Sequence, residues 1–422
     1  MKKTAIIFIT ILMSVAFAKN IRAAELGSVD IHGFISQGYL YSDSYNYLAN
    51  DTEGGTFQFN EVGINFSKDL TDELRVGMQF FARDLGDLNN DEVIIDWAFA
   101  DYHWRDWAGL RAGKLKVPFG LYNETRDIDL LRTSVLLPSG VYLESFRDAF
   151  VGLKGVGLYG DVSLGIMGGA AYQLQLGTMN VDNDNGIAKM IESLLSFNMS
   201  TGMSRQMGTS VDVDVDVTDF KVDEVYNGAL QWNTPLEGLR LGSSIFLADF
   251  KADADIDLTA IAMGIVDGEF EFRDLVAYTL SAEYTWENLV LACEYFNLEM
   301  DVYSTVPDFS ISTKTVKELE GYYVGASYRF TDWFELGTYY SVAYPDATDK
   351  DGEKMVLLGE KDYSAWSKDL ALSTRFDINE YWVFKMEGHW MDGTAYLLDV
   401  DNPDGFPDKN WFMFAAKLSF NF

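Results

Sequence analysis

Trp411-Phe412-Met413-Phe414-Ala415-Ala416-Lys417-Leu418-Ser419-Phe420-Asn421-Phe422 is the last stretch of the chain, and its period decides the fold. The even positions are Phe412, Phe414, Ala416, Leu418, Phe420 and Phe422. The odd positions include Lys417, Ser419 and Asn421. Side chains of a strand alternate between its faces, so one face here is wholly apolar and the other carries the polar groups. The same period recurs upstream. Trp382, Phe384, Met386 and Trp390 alternate with Lys385, Glu387 and His389. Leu370, Leu372 and Phe376 alternate with Asp369, Ser373, Arg375 and Asp377. Leu74, Val76, Met78 and Phe80 alternate with Arg75, Gln79 and Arg83.

Composition fits that interleaving. The 422 residues are 48% hydrophobic, yet the mean hydropathy is near zero. Apolar residues are therefore spread among polar ones, which excludes a protein built on runs of about 20 apolar residues. Asp plus Glu number 65 against 32 Lys plus Arg, a net charge of −33. Nucleic acid is not an expected partner, because phosphates need basic side chains to neutralise them. A single cysteine, Cys293, leaves no intramolecular disulfide and no CxxC metal site. No cofactor is expected.

The one long apolar run reads as a targeting signal. Met1-Lys2-Lys3 is basic, Thr4 to Phe17 is apolar, and Ala16-Phe17-Ala18 fits a small-residue cleavage site. Residues 1–18 are the expected signal peptide, with cleavage near Ala23 or Ala24 as the alternative. Residues 19–422 form one domain. The run is too short for a transmembrane anchor. If the mature chain is embedded in a membrane, it must be a closed barrel, the remaining way to satisfy every backbone group.

The alternating segments are expected at 28–42, 56–67, 73–84, 92–104, 109–118, 148–159, 161–174, 223–233, 239–250, 272–285, 288–300, 318–330, 334–344, 364–377, 381–392 and 410–422. Short turns and long loops join them in strict alternation. The third short turn is expected around Gly160-Asp161. This predicts an all-β fold, a closed antiparallel transmembrane β-barrel of about 16 strands with long external loops and short periplasmic turns. Six tryptophans (Trp104, Trp107, Trp232, Trp286, Trp333 and Trp382) fall in or beside short turns, as an interfacial girdle requires. A soluble β-sandwich or propeller shares the alternation, but does not turn large aromatics away from its core.

The final strand, ending on Phe422, resembles the C-terminal assembly signal of Gram-negative outer-membrane barrels. Leu110-Arg111-Ala112-Gly113-Lys114-Leu115-Lys116-Val117-Pro118-Phe119-Gly120-Leu121-Tyr122-Asn123-Glu124-Thr125-Arg126-Asp127 resembles a segment of porins of the phosphate-selective superfamily. The resemblance implies a trimeric diffusion pore with its third external loop folded into the lumen. It names no solute, and a ladder of basic residues for phosphate is not evident.

Opposite the apolar face, the expected pore-lining cations are Arg75, Arg83, Lys154, Arg240, Arg329, Arg375, Lys385 and Lys417. The acids are Glu283, Glu294, Glu335, Asp369, Asp377 and Glu387. The wall is thus slightly basic in an acidic protein, with the acid gathered in long loops. The constriction loop is expected at 119–147, carrying Glu124, Arg126, Asp127, Asp129, Arg132, Glu144 and Arg147. Lys114 and Lys116 share a strand face with Leu110 and Ala112, yet must avoid lipid. They are expected to face the lumen or the constriction, through a bulge or a place at the outer rim.

Three other features invite readings. Asp212, Asp214 and Asp216 lack the spacing of a calcium loop and read as one face of a hairpin above the membrane. Ile187, Met190, Ile191, Leu194 and Leu195 predict a short helix packed on its own 175–222 external loop. His32, His103 and His389 are far apart, no GxSxG is present, and no enzyme is expected. The expected function is a porin for passive diffusion of small hydrophilic solutes and ions, mildly favouring inorganic anions. Its partners would be outer-membrane lipid, lipopolysaccharide and two further copies in a homotrimer. The alternative is a receptor, adhesin or anchor that works through its acidic loops.

Overall fold

The computed structural model describes residues 28–422 apart from 49–50, 87–90, 145–146, 148–151, 180–185, 210 and 399–400; the expected signal peptide lies outside the described residues. Sixteen strands follow one another: β1 (Asp30–Ser42), β2 (Phe59–Asp69), β3 (Leu74–Leu85), β4 (Ile94–Arg105), β5 (Ala108–Lys116), β6 (Gly152–Ser163), β7 (Gly169–Thr178) and β8 (Asp214–Asn233). Then come β9 (Leu239–Asp257), β10 (Ile265–Trp286), β11 (Leu289–Val306), β12 (Ile311–Thr331), β13 (Phe334–Tyr344), β14 (Ser367–Asp377), β15 (Trp382–Asp392) and β16 (Asn410–Asn421). Each pairs with its neighbours in sequence, and β1 pairs with β16 in antiparallel register to close the cylinder. Closure leaves the membrane-level sheet without a free edge.

The closing strand behaves as its period demands. Met413, Ala415, Lys417 and Ser419 are buried, while Leu418 is 38% exposed. The apolar row continues outward around the barrel through Val62, Leu110, Leu158, Leu230, Leu280, Val324 and Leu372, all exposed. Cys293 lies on that outer face beside Leu291. Trp104, Trp107, Trp286 and Trp333 are exposed at the short-turn end.

Two boundaries differ from the sequence reading. The third short turn is not at Gly160-Asp161, which sits inside β6; it is Leu164 to Gly168. Gly160 marks a close backbone approach, since a Cβ there would lie 2.2 Å from the Trp107 carbonyl oxygen. The true turn carries Ile166 and Met167, whose apolar side chains mimic a strand, and gains its geometry from positive φ at Gly165 and Gly168. The second difference is length. β8 to β12 run on past the expected ends, so the segments 251–271 and 301–317 are mostly hairpin rather than loop.

This wall extension has two unlike faces. Val215, Val217, Ala252, Ala254, Ile256, Phe270 and Phe272 form an apolar cluster with Ile191 and Leu195 of helix α1 (Gly186–Met207). Phe250 and Met300 border both this cluster and the one in the lumen below. The other face carries acid in register: Asp216, Asp255 and Asp267 in one row, Asp219, Asp253 and Glu269 in the next. Asp214 and Asp216 therefore lie on a hairpin face, as their spacing implied.

Candidate functional site: the lumen loop

β7 and β8 pair only as far as Gly177 and Val225, but the loop after β5 makes its own attachments all round the inner wall. Gly120 N–H donates to Ser244 Oγ at 3.0 Å, and Leu121 N–H to Glu294 Oε1 at 2.9 Å. Tyr142 and Tyr323 also donate their hydroxyls to Glu294, which seats the loop on β9 to β12. Gly140 N–H reaches Ser341 Oγ at 2.8 Å. There the backbones touch, since a Cβ on Gly321 would lie 1.9 Å from the Gly140 carbonyl oxygen.

Further round, the wall again offers a buried carboxylate. Glu387 accepts the N–H groups of Val135 and Leu136, both at 3.0 Å. His389 stands behind it, with Nε2 3.0 Å from Glu387 and Nδ1 2.9 Å from Asp369. Two wall cations take loop carbonyls: Lys385 donates to Ser134 O at 3.0 Å and Arg375 to Leu130 O at 2.6 Å. Thr133 donates its hydroxyl to Glu335. Charge-assisted bonds of this kind are the stronger class.

The loop's own charges meet the wall of β2 to β4, β15 and β16. Glu144 bridges Arg83 and Arg126, each at 2.8 Å, and Arg147 at 2.9 Å. Arg147 also pairs with Glu61 at 2.6 Å and Asp127 at 2.5 Å. Lys116 pairs with Asp127 and lies 3.2 Å from Asp96. Lys417 pairs with Glu61 and lies 3.0 Å from Asp129, which also faces Lys385 at 3.6 Å and Arg132 at 3.3 Å. Burial opposes ionisation of Glu144, Asp127 and Asp129, but the adjacent cations outweigh it and hold all three carboxyls below their ordinary range. Glu124, which accepts from Gln173 at 3.0 Å, is shifted the other way by burial.

The sequence-predicted residues sort by geometry. Arg75, Arg83, Arg240, Glu283, Arg329, Glu335, Arg375, Lys385 and Lys417 project to the inner face. Arg240 pairs with Glu283 at 2.8 Å; Arg329 pairs with Glu335 at 3.0 Å and Asp377 at 2.8 Å. Arg75 donates to Ser67 at 3.0 Å. Arg83, Lys385 and Lys417 join the loop's ion-pair cluster, while Arg240, Glu283, Arg329 and Glu335 pair with wall partners elsewhere.

Lys154 corrects the sequence reading. It is exposed and shares the outward row of Val156 and Leu158. Lys114 opposes it directly, and pairing runs unshifted from Leu110–Tyr102 to Lys114–Ala98, so no bulge turns Lys114 inward. Both sit at the external ends of their strands, and Lys114 donates to Ile95 O at 2.6 Å. Lys116, at the very end of β5, does reach the lumen loop.

The bulge lies one strand earlier. Gln79 opposes Trp97 and Phe80 opposes Ile95, leaving Asp96 as the extra residue. Asp96 accepts from Gln79 at 2.8 Å and is buried. Sequence reasoning missed it for that reason. It also missed Glu61, though Glu61, Asn65 and Ser67 alternate with Val62, Ile64 and Phe66 and carried the signal. Phe81, Phe246, Tyr323 and Tyr339 are buried under the loop and its partners; the Arg147 guanidinium lies 5.1 Å above the Phe81 ring.

A closed sixteen-stranded cylinder, apolar outside and charged inside, with an inward-folded loop, defines an outer-membrane channel protein. The chain belongs to the Gram-negative porin family, whose model matches residues 9–362. No curated protein matches it. Among solved structures it is similar to OmpT, an outer-membrane protein of Vibrio cholerae, at 10% identity and a TM-score of 0.55, covering 96% of this chain and 100% of that one. The anion-selective porin from Comamonas acidovorans gives 12% identity and 0.52, covering 94% and 99%. The outer-membrane channel DcaP of Acinetobacter baumannii gives 10% and 0.51, covering 94% and 97%. At such identities the likeness is one of fold.

Proposed function

We propose that this porin is a narrow passive channel for small hydrophilic solutes, with a mild preference for anions, and not an enzyme. The observation that carries the reading is the charge balance where the loop meets the wall. In the ion-pair cluster that joins the loop to β2, β3, β4, β15 and β16, seven cations (Arg83, Lys116, Arg126, Arg132, Arg147, Lys385 and Lys417) face five carboxylates (Glu61, Asp96, Asp127, Asp129 and Glu144), while the loop's anchors elsewhere on the wall are mostly acidic: Glu294, Glu335 and Glu387 with Arg375. A solute passing that cluster meets net positive charge in a low-dielectric frame, where charge acts strongly. The acid of the wall extension stands farther out and is screened within about 8–10 Å at physiological salt.

Lys114 and Lys154 belong at the lipid headgroup level, where lipopolysaccharide offers phosphate. A homotrimer is the assembly supported by the porin relatives. The phosphate-selective assignment suggested by residues 110–127 narrows to a preference for anions in general. Liposome swelling with neutral sugars of rising size tests the channel: small sugars enter quickly and trisaccharides slowly. Equal exclusion of all sugars, with the barrel folded, would leave the surface-receptor reading, which the tall acidic wall of β8 to β12 favours.

A further inference from the structure

Between Asp96 at the lumen loop and the short turn after Arg105, the inner face of β4 to β6 carries three half-buried rings, Trp97, Phe99 and Tyr159. The inward rings Phe81, Phe246, Tyr323 and Tyr339 are buried and fill space; these three present surface to the lower lumen. They lie along the wall because glycines face them. A Cβ on Gly77 would come within 3.0 Å of the Trp97 ring, and one on Gly109 within 2.2 Å of Tyr159 Cζ. The centroids of Trp97 and Phe99 are 5.3 Å apart. The Arg111 guanidinium lies 4.2 Å from the Tyr159 centroid and 5.3 Å from that of Phe99. Arg111 opposes Asp101 across β4 and β5, and its Nε donates there at 3.1 Å. The Tyr159 hydroxyl donates to the other oxygen of Asp101 at 2.6 Å. Gln173, half-buried and opposite Tyr159 on β7, donates to Glu124 at 3.0 Å. Gly157 opposite Arg111 and Ala229 opposite Gln173 add no bulk beside these groups.

We infer that this sector of the wall is a binding subsite for a neutral sugar, whose ring lies on Trp97 and Phe99 while its hydroxyls reach Arg111, Asp101 and Gln173. The Arg111–Asp101 pair is balanced in charge, so an ion gains little from it. Half-exposed rings fixed along the wall reward a solute with an apolar face. The guanidinium supplies donors, the carboxylate and the amide oxygen accept, and a hydroxyl does both. A pyranose joins a C–H face to a rim of hydroxyls; an inorganic ion lacks the first and an alkane the second. A few placed polar groups among apolar surface is the general form of a small-molecule site. This deepens the channel reading and rests on it: the sugar would be a permeating solute that pauses on the short-turn side of the loop.

The test adds the linear trisaccharide maltotriose to single channels in planar bilayers, alongside titration calorimetry of the folded full chain in detergent with the same sugar. Wild type shows current interruptions whose total duration saturates with sugar, more frequent when the sugar enters from the short-turn side, and calorimetry gives one site per chain. Trp97→Leu keeps apolar volume but loses the flat ring, and weakens binding roughly two- to tenfold. Arg111→Lys keeps the charge but loses the planar fork and weakens it likewise, which reads the site should Trp97→Leu fail to fold. Tyr328→Leu removes an outward ring that is 43% exposed, and binds as wild type. Inorganic phosphate leaves sugar binding unchanged. Equal weakening by Trp97→Leu and Tyr328→Leu, or displacement of the sugar by phosphate, overturns the subsite. Absence of both the interruptions and the heat also overturns it, and steady conduction then leaves the channel reading standing. Calorimetric binding that depends on Trp97, in a barrel that never conducts, keeps the subsite and ends the channel reading.

Discussion

Two buried wall carboxylates, Glu294 on β11 and Glu387 on β15, do the same work: Glu294 accepts one backbone N–H of the lumen loop and Glu387 accepts two. Glu387→Ala removes two charge-assisted bonds, worth roughly 3 kcal/mol or more of anchoring. Single-channel recordings should then show larger and noisier steps; steps as quiet as wild type would count against the anchor. Gly321→Ala acts sterically on another contact of the same loop, because its Cβ would enter the Gly140 carbonyl, and should loosen the loop without unfolding the barrel. The loop carboxyls set a pH expectation. Glu144 and Asp127 titrate below the ordinary values of 4.5 and 3.8. A lowered folded pKa means their stabilisation is complete above that range and is lost only as pH falls through the depressed values. In a Glu124→Gln background, which removes the loop carboxyl that burial shifts upward, step amplitude should stay constant from about pH 7 to about pH 5 and change below about pH 4; a transition moved by Glu144→Gln above that range would contradict the pairing. Legibility at this scale followed the local period. Arg83, Arg375, Lys385 and Lys417 alternate cleanly and were readable. Asp96 was not, because a bulge is set by tertiary pairing, and Lys114 and Lys154 misled because rim cations break an otherwise apolar row.

The elements show the same division. β13, β15 and β16 were readable nearly to the residue, because each holds its period through both ends. The turn at 164–168 was not, because Ile166 and Met167 look like strand. The helix at 186–207 was visible in its apolar spacing, but its role was not. Above Gly177 the segment 211–217 has lost its β7 neighbour and would be left as an open edge. Helix α1 covers that edge with residues four apart. Ser204, Ser200 and Ser196 accept the N–H groups of Val211, Val213 and Val215 at 2.8, 2.9 and 3.0 Å, and Glu192 accepts that of Val217 at 2.9 Å. A row of valines is a hazard when left as an open edge, and a helix laid along it removes the hazard. Changing Ser196, Ser200 and Ser204 together to Ala should cost about 3 kcal/mol locally. Limited proteolysis would then cut within 180–217 faster, while the barrel keeps its heat-modifiable gel mobility. Unchanged cleavage would show that apolar packing of Ile191 and Leu195 alone holds the helix.

For the whole molecule, the barrel is two surfaces of opposite preference sharing one sheet. Alternation along β14 puts Leu372 outside, 43% exposed, and Ser373 inside, hydrogen-bonded to Glu387. Leu372→Arg should cost roughly 2–4 kcal/mol if it sits near the bilayer midplane, measured by reversible unfolding in lipid vesicles. A cost near zero would place that face out of lipid. The cylinder as a whole was readable because the strand count, the alternation of short and long connections and the aromatic girdle all report one closed sheet. The balance of charge inside it was not readable, since the loop and the wall cancel each other residue by residue in space. Whether the pore prefers anions is read from a reversal potential across a planar bilayer in a potassium chloride gradient. An anion-preferring porin gives discrete small channels whose potential lies on the chloride side of zero; a potential on the potassium side, or a folded barrel that never conducts, would rule it out.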